Sequence, residues 1–177
     1  MKTSTIASTE RRMIFGFGET GLSVARFWTR RGIPFSIIDD DHSAAEKLDG
    51  VSDIAPTNVY FGEIDPTILN GVTELVVSPG IPLDHQMVER AKRSGSRIRG
   101  DIDLFMEACQ KPVIGITGSN GKSTVTAMLG EIIAACGGEV SLGGNIGRPA
   151  LDLLDDEAQL FVLELSSFQL ERSESLG

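Results

Sequence analysis

Two apolar runs in this chain each break into a glycine-rich turn and resume as a helical pattern. They are "RMIFGFGETGLSVARF" at residues 12–27 and "VIGITGSNGKSTVTAML" at residues 113–129. A strand that turns directly into a helix must be followed by a crossover, so strands joined this way lie parallel. The rest of the chain keeps that alternation. "PFSIID" reads as a second strand ending in Asp39, "NVYFG" as a weaker third, and "TELVVSPGIP" as a fourth that breaks at Ser78-Pro79-Gly80. Helix "HQMVERAKRSG" and strand "RIRG" follow, and Gly32 stops the first helix. The expectation is an α/β fold whose first unit, residues 1–100, is a Rossmann-like parallel sheet.

A second unit begins near residue 100, marked only by the restart of the strand–helix pattern. Asp101 is expected to cap a helix with Ile102, Phe105, Met106 and Cys109 on one face. Pro112 closes that helix before strand "VIGIT". Beyond the glycine loop, Val125, Met128, Leu129, Ile132, Ile133 and Cys136 form an apolar stripe that ends at Gly137-Gly138. "EVSLGGNIG" then reads as a strand and turn, and "AQLFVLELSS" as a buried strand carrying Glu164. The chain stops just after this strand, so the second unit, residues 101–177, is expected to be cut. The edge of its sheet and the apolar face of its long helix are then expected to lie uncovered.

Charge narrows the partners. Aspartate and glutamate number 25 against 16 lysines and arginines, a net charge of -9. That balance opposes a general nucleic-acid or anionic-membrane surface, so any phosphate site must be built locally. The N-terminal "MKTSTIASTERR" lacks an apolar signal core and no run is long enough to span a membrane, which predicts a cytoplasmic protein. Cys109 and Cys136 have no metal-ligand spacing and are expected to be buried, reduced thiols. His42 and His85 are expected on exposed loops of the first unit.

Gly16, Gly18 and Gly21 satisfy GxGxxG after a strand and at the opening of a helix, where free N–H groups and the helix dipole favour a phosphate. Asp39, eighteen residues past Gly21, is placed to bind a ribose hydroxyl. This pattern fits a nucleotide site, and equally a tight turn for strand–helix packing; alone it would suggest an NAD-dependent oxidoreductase. The second loop is more specific. Gly118, Ser119, Asn120, Gly121, Lys122, Ser123 and Thr124 follow a strand and open a helix. Glycine backbone can wrap a triphosphate, Lys122 can neutralise the β/γ charge, and the Ser123 hydroxyl can ligate Mg²⁺. Ile116 stands where the usual P-loop has its first glycine, so the loop is not a standard Walker sequence. Glu164, at the carboxyl end of an apolar strand, is either a metal-holding acid or a hydrogen-bonded structural carboxylate.

With "TGSNGKST", "GGNIG" and "LELSSFQLE" in this order after a Rossmann-like unit, the chain resembles the Mur ligases, relatives of folylpolyglutamate synthetase. "GDIDLF" and "LELSSFQL" are most similar to the branch that adds D-glutamate. The resemblance runs from about Met13 onward. It implies an ATP-dependent, amide-forming ligase of peptidoglycan precursor synthesis. ATP would phosphorylate the alanine carboxylate of UDP-N-acetylmuramoyl-L-alanine, and the amine of D-glutamate would displace phosphate from the acyl phosphate. Glu19, Thr20, Asp39, Ser78, Pro79, Gly80 and Asn145 would then hold the UDP-substrate. Residues 118–124 would hold ATP, Lys122 and Glu164 would be catalytic, and Ser123 and Glu164 would hold Mg²⁺.

Asp40-Asp41 departs from the family, which often has a small polar or basic residue there. The family also supplies a histidine, a carbamylated lysine and a D-glutamate-binding third domain beyond the matching region, in an enzyme expected to be monomeric at full length. The 177 residues by themselves are therefore expected not to catalyse ligation. The alternatives are a non-catalytic UDP-sugar-binding module, the oxidoreductase, and ligases adding other amino acids or acting on folates.

Overall fold

Every apolar run named above is a strand in the computed structural model, which describes residues 10–173. The first five are β1 (Arg12–Phe15), β2 (Phe35–Asp39), β3 (Asn58–Phe61), β4 (Glu74–Val77) and β5 (Arg97–Arg99). They pair in parallel in the order β3-β2-β1-β4-β5. The order reverses beside β1, which opens a crevice at the carboxyl ends of β1 and β4, where open parallel sheets bind ligands. Central β1, β2 and β4 are buried on both faces, which is why they read as continuous apolar runs. Helix α1 (Glu19–Arg30) lays Val24, Phe27 and Trp28 on this sheet and stops before Gly32, whose φ is +64°. Two short crossovers complete the unit, α2 (Ala44–Asp49) and α3 (Gln86–Arg93).

The second sheet has three described strands, β6 (Val113–Ile116), β7 (Val140–Gly144) and β8 (Leu160–Glu164), parallel in the order β6-β8-β7. Helix α4 (Asp101–Ala108) joins the two sheets, α5 (Lys122–Ala135) follows the second glycine loop, and α6 (Ser167–Arg172) follows β8. The two sheets share one hydrophobic core. Phe105 of α4 meets Phe161 of β8 edge-to-face, with ring centroids 5.5 Å apart. A 3₁₀ turn at Ala150–Leu153 packs beside α1 and α4, burying Leu151 and Leu153 completely. Polar contacts follow the same seam. The Ser23 hydroxyl donates to Asp152 Oδ1 at 2.9 Å, and Arg30 pairs with Asp155 at 3.2 Å. Arg99, only 3% exposed, ties β5 to β4 through Glu74 at 3.0 Å and to α4 through Glu107 at 2.8 Å.

Three local expectations are corrected. Asp101 is not the cap of α4: Gly100 holds that position, and its N–H donates to Asp103 Oδ2 at 2.9 Å. Asp101 lies inside the first turn, 2% exposed, accepting from Gln169 Nε2 of α6 at 3.0 Å. The thiols are not buried: Cys109 is half-buried, with its S–H donated to the Lys111 carbonyl, and Cys136 is exposed at the end of α5. Cys136 belongs to the stripe on α5, of which Val125, Met128 and Ile132 are 49%, 56% and 57% exposed. The surface α5 turns to the sheet is instead centred on Thr126 and Gly130, because a Cβ at Gly130 would sit 2.6 Å from Leu142 Cδ1. Strand β6 is likewise open on its outer side, with Ile114 exposed. Among the described residues, the expected uncovered helix face and sheet edge are both present.

Burial raises the Asp101 carboxyl to about 6, against a smaller lowering from the Gln169 hydrogen bond. A carboxyl whose folded-state value is raised binds protons more readily folded than unfolded between about pH 4 and 6. Stability from this group therefore falls as pH rises through that window and stays at its lower level above it. In paired denaturation curves, the wild type should lose about 1–3 kcal/mol relative to Asp101→Asn between pH 4 and pH 7. Parallel pH profiles would contradict this. The α5 face gives a separate expectation: Met128→Lys with Ile132→Lys should change stability by less than about 0.5 kcal/mol each. The pair should also reduce self-association in sedimentation runs; unchanged association would show that this face is not the adhesive one.

Candidate functional site

The first glycine turn is shaped by packing at two of its glycines and by an opening at the third. Gly16 has φ +94°, and a Cβ there would lie 2.9 Å from Ser78 Cβ. A Cβ on Gly21 would lie 2.0 Å from the Gly16 carbonyl oxygen, so only glycine lets the helix start this close to the strand. Gly18 has nothing within 4 Å of that position. Its missing side chain clears space for something outside the protein, the role the middle glycine has when backbone approaches a phosphate. Ser78 fastens the neighbouring turn, its hydroxyl donating to the Gly16 carbonyl at 2.7 Å.

These elements enclose a cavity of about 440 Å³ at the carboxyl ends of β1, β2 and β4. Glu19, Thr20, Asp39, Ser78, Pro79, Gly80 and Asn145, all seven residues expected to meet the UDP-substrate, line it. Asn145 reaches this wall from the other sheet. The glycines that end β7, Gly143-Gly144, permit it, for a Cβ on Gly144 would strike the Glu164 carbonyl at 2.3 Å. The Asn145 N–H then donates to that same carbonyl at 2.8 Å. Three further lining residues escaped the sequence reading: Lys47, Ile81 and Gln169. Gln169 carried a legible signal. Ser166 and Gln169 have the spacing of a capping box; Ser166 Oγ accepts from the Gln169 N–H, and Gln169 Oε1 accepts from the Ser166 N–H, both at 3.1 Å.

Asp39 lies at the cavity wall with both carboxylate oxygens engaged by the protein. Oδ2 accepts from the Phe17 N–H at 2.6 Å and Oδ1 from the Asp41 N–H at 2.9 Å. The residue fixes the shape of the cradle, and the Phe17 N–H is already spoken for. The N–H groups of Glu19, Thr20 and Gly21, in the first turn of α1, have no intrahelical acceptor. His85 is corrected: it is half-buried, not on an exposed loop. It caps α3, with Nδ1 accepting from the Met87 N–H at 3.3 Å, and its Nε2 lies 3.0 Å from Asp40 Oδ2. His42 is exposed, as expected.

The second loop, residues 117–121, is exposed at the carboxyl end of β6. Gly121 caps α5 with φ +74°, and Gly118 sits at φ +150°. Lys122 Nζ donates to the Gly118 carbonyl at 2.8 Å, so its ammonium lies over the loop's own ring of peptide groups. Ser119, Asn120, Ser123 and Thr124 are exposed around it. Glu164 ends β8, in register with Ile116 at the loop's entry. It is 3% exposed, and among the described residues its carboxylate has no hydrogen-bond or ion-pair partner. A carboxylate on a nearly buried residue, with no protein partner and beside a phosphate-type loop, has the chemistry of a cation ligand. No cluster of three His, Cys, Asp or Glu side chains occurs among the described residues. The donor set of one carboxylate and one hydroxyl suits Mg²⁺, which takes most of its remaining ligands from phosphate and water.

Residues 10–100 match the family described as Mur ligase MurD-like, N-terminal domain, and residues 116–177 match the Mur ligase middle domain. The chain belongs to the Mur ligases. It is 48% identical over 177 residues to the UDP-N-acetylmuramoylalanine--D-glutamate ligase of Marinobacter nauticus, covering 98% of this chain and 39% of that one. The corresponding ligase of Pseudomonas aeruginosa is 44% identical over 174 residues, again with 98% and 39% coverage. This Mur ligase chain thus spans 39% of the length of the curated relatives it matches. Among solved structures, the UDP-N-acetylmuramate:L-alanyl-gamma-D-glutamyl-meso-diaminopimelate ligase of Neisseria meningitides superposes with a TM-score of 0.52 at 19% identity. That match covers 88% of this chain and 52% of the other. A murein peptide ligase of Psychrobacter arcticus gives 0.50 at 17% identity, covering 89% and 38%. Both support the parallel α/β fold. No described helix is long and apolar enough to cross a membrane.

The glycine geometry sets a stability test for this Mur ligase. Gly21→Ala should cost about 3 kcal/mol or more, because its methyl group meets backbone. Gly18→Ala should cost less than about 1 kcal/mol. Equal losses in denaturant melts would mean that the opening at Gly18 is not real.

Proposed function

We propose that this chain provides the UDP-substrate and ATP sites of a ligase that adds D-glutamate to UDP-N-acetylmuramoyl-L-alanine. Residues 1–100 form the UDP-substrate unit and residues 101–177 the first part of the ATP-binding unit. The observation that carries this reading is the 440 Å³ cavity, whose lining combines the N-terminus of α1 with Asn145 and Gln169 of the second unit. A dinucleotide redox site needs only the first sheet. A sugar nucleotide whose far end must reach an ATP loop needs both. The identity to two D-glutamate-adding ligases supports the choice of amino acid.

In the proposed chemistry, the free N–H groups of Glu19, Thr20 and Gly21 hold the diphosphate, and Asn145 faces the sugar-peptide. Gly118 to Gly121 wrap the ATP phosphates. Lys122 leaves the Gly118 carbonyl for the β/γ oxygens and stabilises charge as the γ-phosphoryl moves to the alanine carboxylate. Ser123 and Glu164 hold Mg²⁺, which neutralises phosphate charge when bound. The amine of D-glutamate then attacks the carbonyl carbon of the acyl phosphate; inorganic phosphate leaves, the nitrogen gives up a proton, and the amide forms. The reaction belongs to peptidoglycan precursor synthesis in the cytoplasm.

Binding is the test. Calorimetric titration should show saturable binding of UDP-N-acetylmuramoyl-L-alanine, displaced by UDP and not by NADH. Mg²⁺-ATP should bind independently, about tenfold or more weaker in Lys122→Ala, and Glu164→Gln should abolish the Mg²⁺ dependence. Tight NADH binding that UDP cannot displace would replace this reading with the oxidoreductase one.

A further inference from the structure

We propose that Lys47 is a specificity-determining residue of the first cavity, the cation that receives the diphosphate of a uridine diphosphate ligand. The inference rests on the UDP-substrate reading and deepens it. Two linked phosphates bring at least two negative charges into the cavity, yet its walls carry Glu19 and Asp39. The protein as a whole adds no help, with a net charge of -9. Lys47 is the only lysine or arginine among the described lining residues.

Three acids at or beside the cavity are committed locally, whereas Glu19 on its wall has no partner among the described residues. Asp39 accepts from the Phe17 and Asp41 N–H groups, and Asp40 faces His85 Nε2 at 3.0 Å. Asp41 accepts from the Ser43 N–H at 2.8 Å and the Ser43 hydroxyl at 2.6 Å. These bonds to Ser43 hold the Asp41 carboxyl below its usual range, with the charge of Lys47 a smaller contribution. Lys47 itself has no hydrogen bond or ion pair among the described residues, and it is exposed on α2. Its charge is therefore uncommitted, and its four-carbon stem lets the ammonium swing to an anion as a point charge. The cradle also needs it, because Asp39 has taken the Phe17 N–H and left fewer backbone donors for phosphate.

The test is calorimetric titration of the whole chain with UDP and with uridine, in wild type, Lys47→Ala, Lys47→Glu and Lys47→Arg. Lys47→Ala should weaken UDP about 3- to 10-fold at low salt, Lys47→Glu more, and Lys47→Arg little. The difference between wild type and Lys47→Ala should shrink at high salt. Uridine affinity and thermal midpoint should not change in any variant. Equal UDP affinity in wild type and Lys47→Ala overturns the inference, as does an equal loss for uridine, which would place Lys47 on the base. Failure of wild type to bind UDP at all overturns the UDP-substrate reading itself, a result distinguishable from both.

Discussion

Phe105 packed edge-on against Phe161 is the contact on which the rest of the site depends. It closes the hydrophobic core across the junction between the two sheets, together with Leu151 and Leu153 of the 3₁₀ turn. Burying four such side chains contributes on the order of 1.5–3 kcal/mol each. That is far more than the exposed ion pairs along the same seam, worth about 0–1 kcal/mol apiece. Apolar packing therefore sets how the second sheet sits against the first, and Asn145 and Gln169 reach the cradle only because it does.

Within that frame, the cavity manages charge by local pairing. The acidic stretch Asp39-Asp40-Asp41 would repel an anion if left bare. Backbone N–H groups, Ser43 and His85 occupy its carboxylates instead. The same economy holds at Asp101, which is buried beneath α6 and kept by the amide of Gln169. Glu164 differs: the residue is 3% exposed, and its carboxylate has no protein partner among the described residues. Carboxylates with partners shape loops here, and Glu164, nearly buried and without one, is where an external cation has something to do.

Much of this was legible in the sequence. The strands followed from apolar runs bounded by glycine and proline, because parallel strands buried on both faces have that composition whatever their neighbours. The seven cavity residues came from motif resemblance and now share one wall. What could not be read depended on contacts distant in sequence. Asp101 looked like a cap because acidic residues favour helix starts, yet Gly100 and Asp103 took that role and α6 buried Asp101. The stripe on α5 looked like a core face by its spacing, while close approach at Gly130 turned another face to the sheet. Lys47 lies on a six-residue helix whose periodicity is too short to place any side chain.

The second sheet's central strand links the two sites. At the end of β8, the Glu164 side chain is in register with the entry of the ATP-type loop, while its carbonyl accepts from Asn145 at the substrate cavity. Two residues on, Ser166 and Gln169 cap α6, and Gln169 lines that cavity while bonding Asp101. One strand end thus carries the candidate metal ligand and two contacts on the substrate side, with no flexible segment between them. In the proposed reaction a γ-phosphoryl group and its acceptor carboxylate would have to meet in line, and a shared strand would set that approach with less loss of conformational freedom than two separately anchored sites.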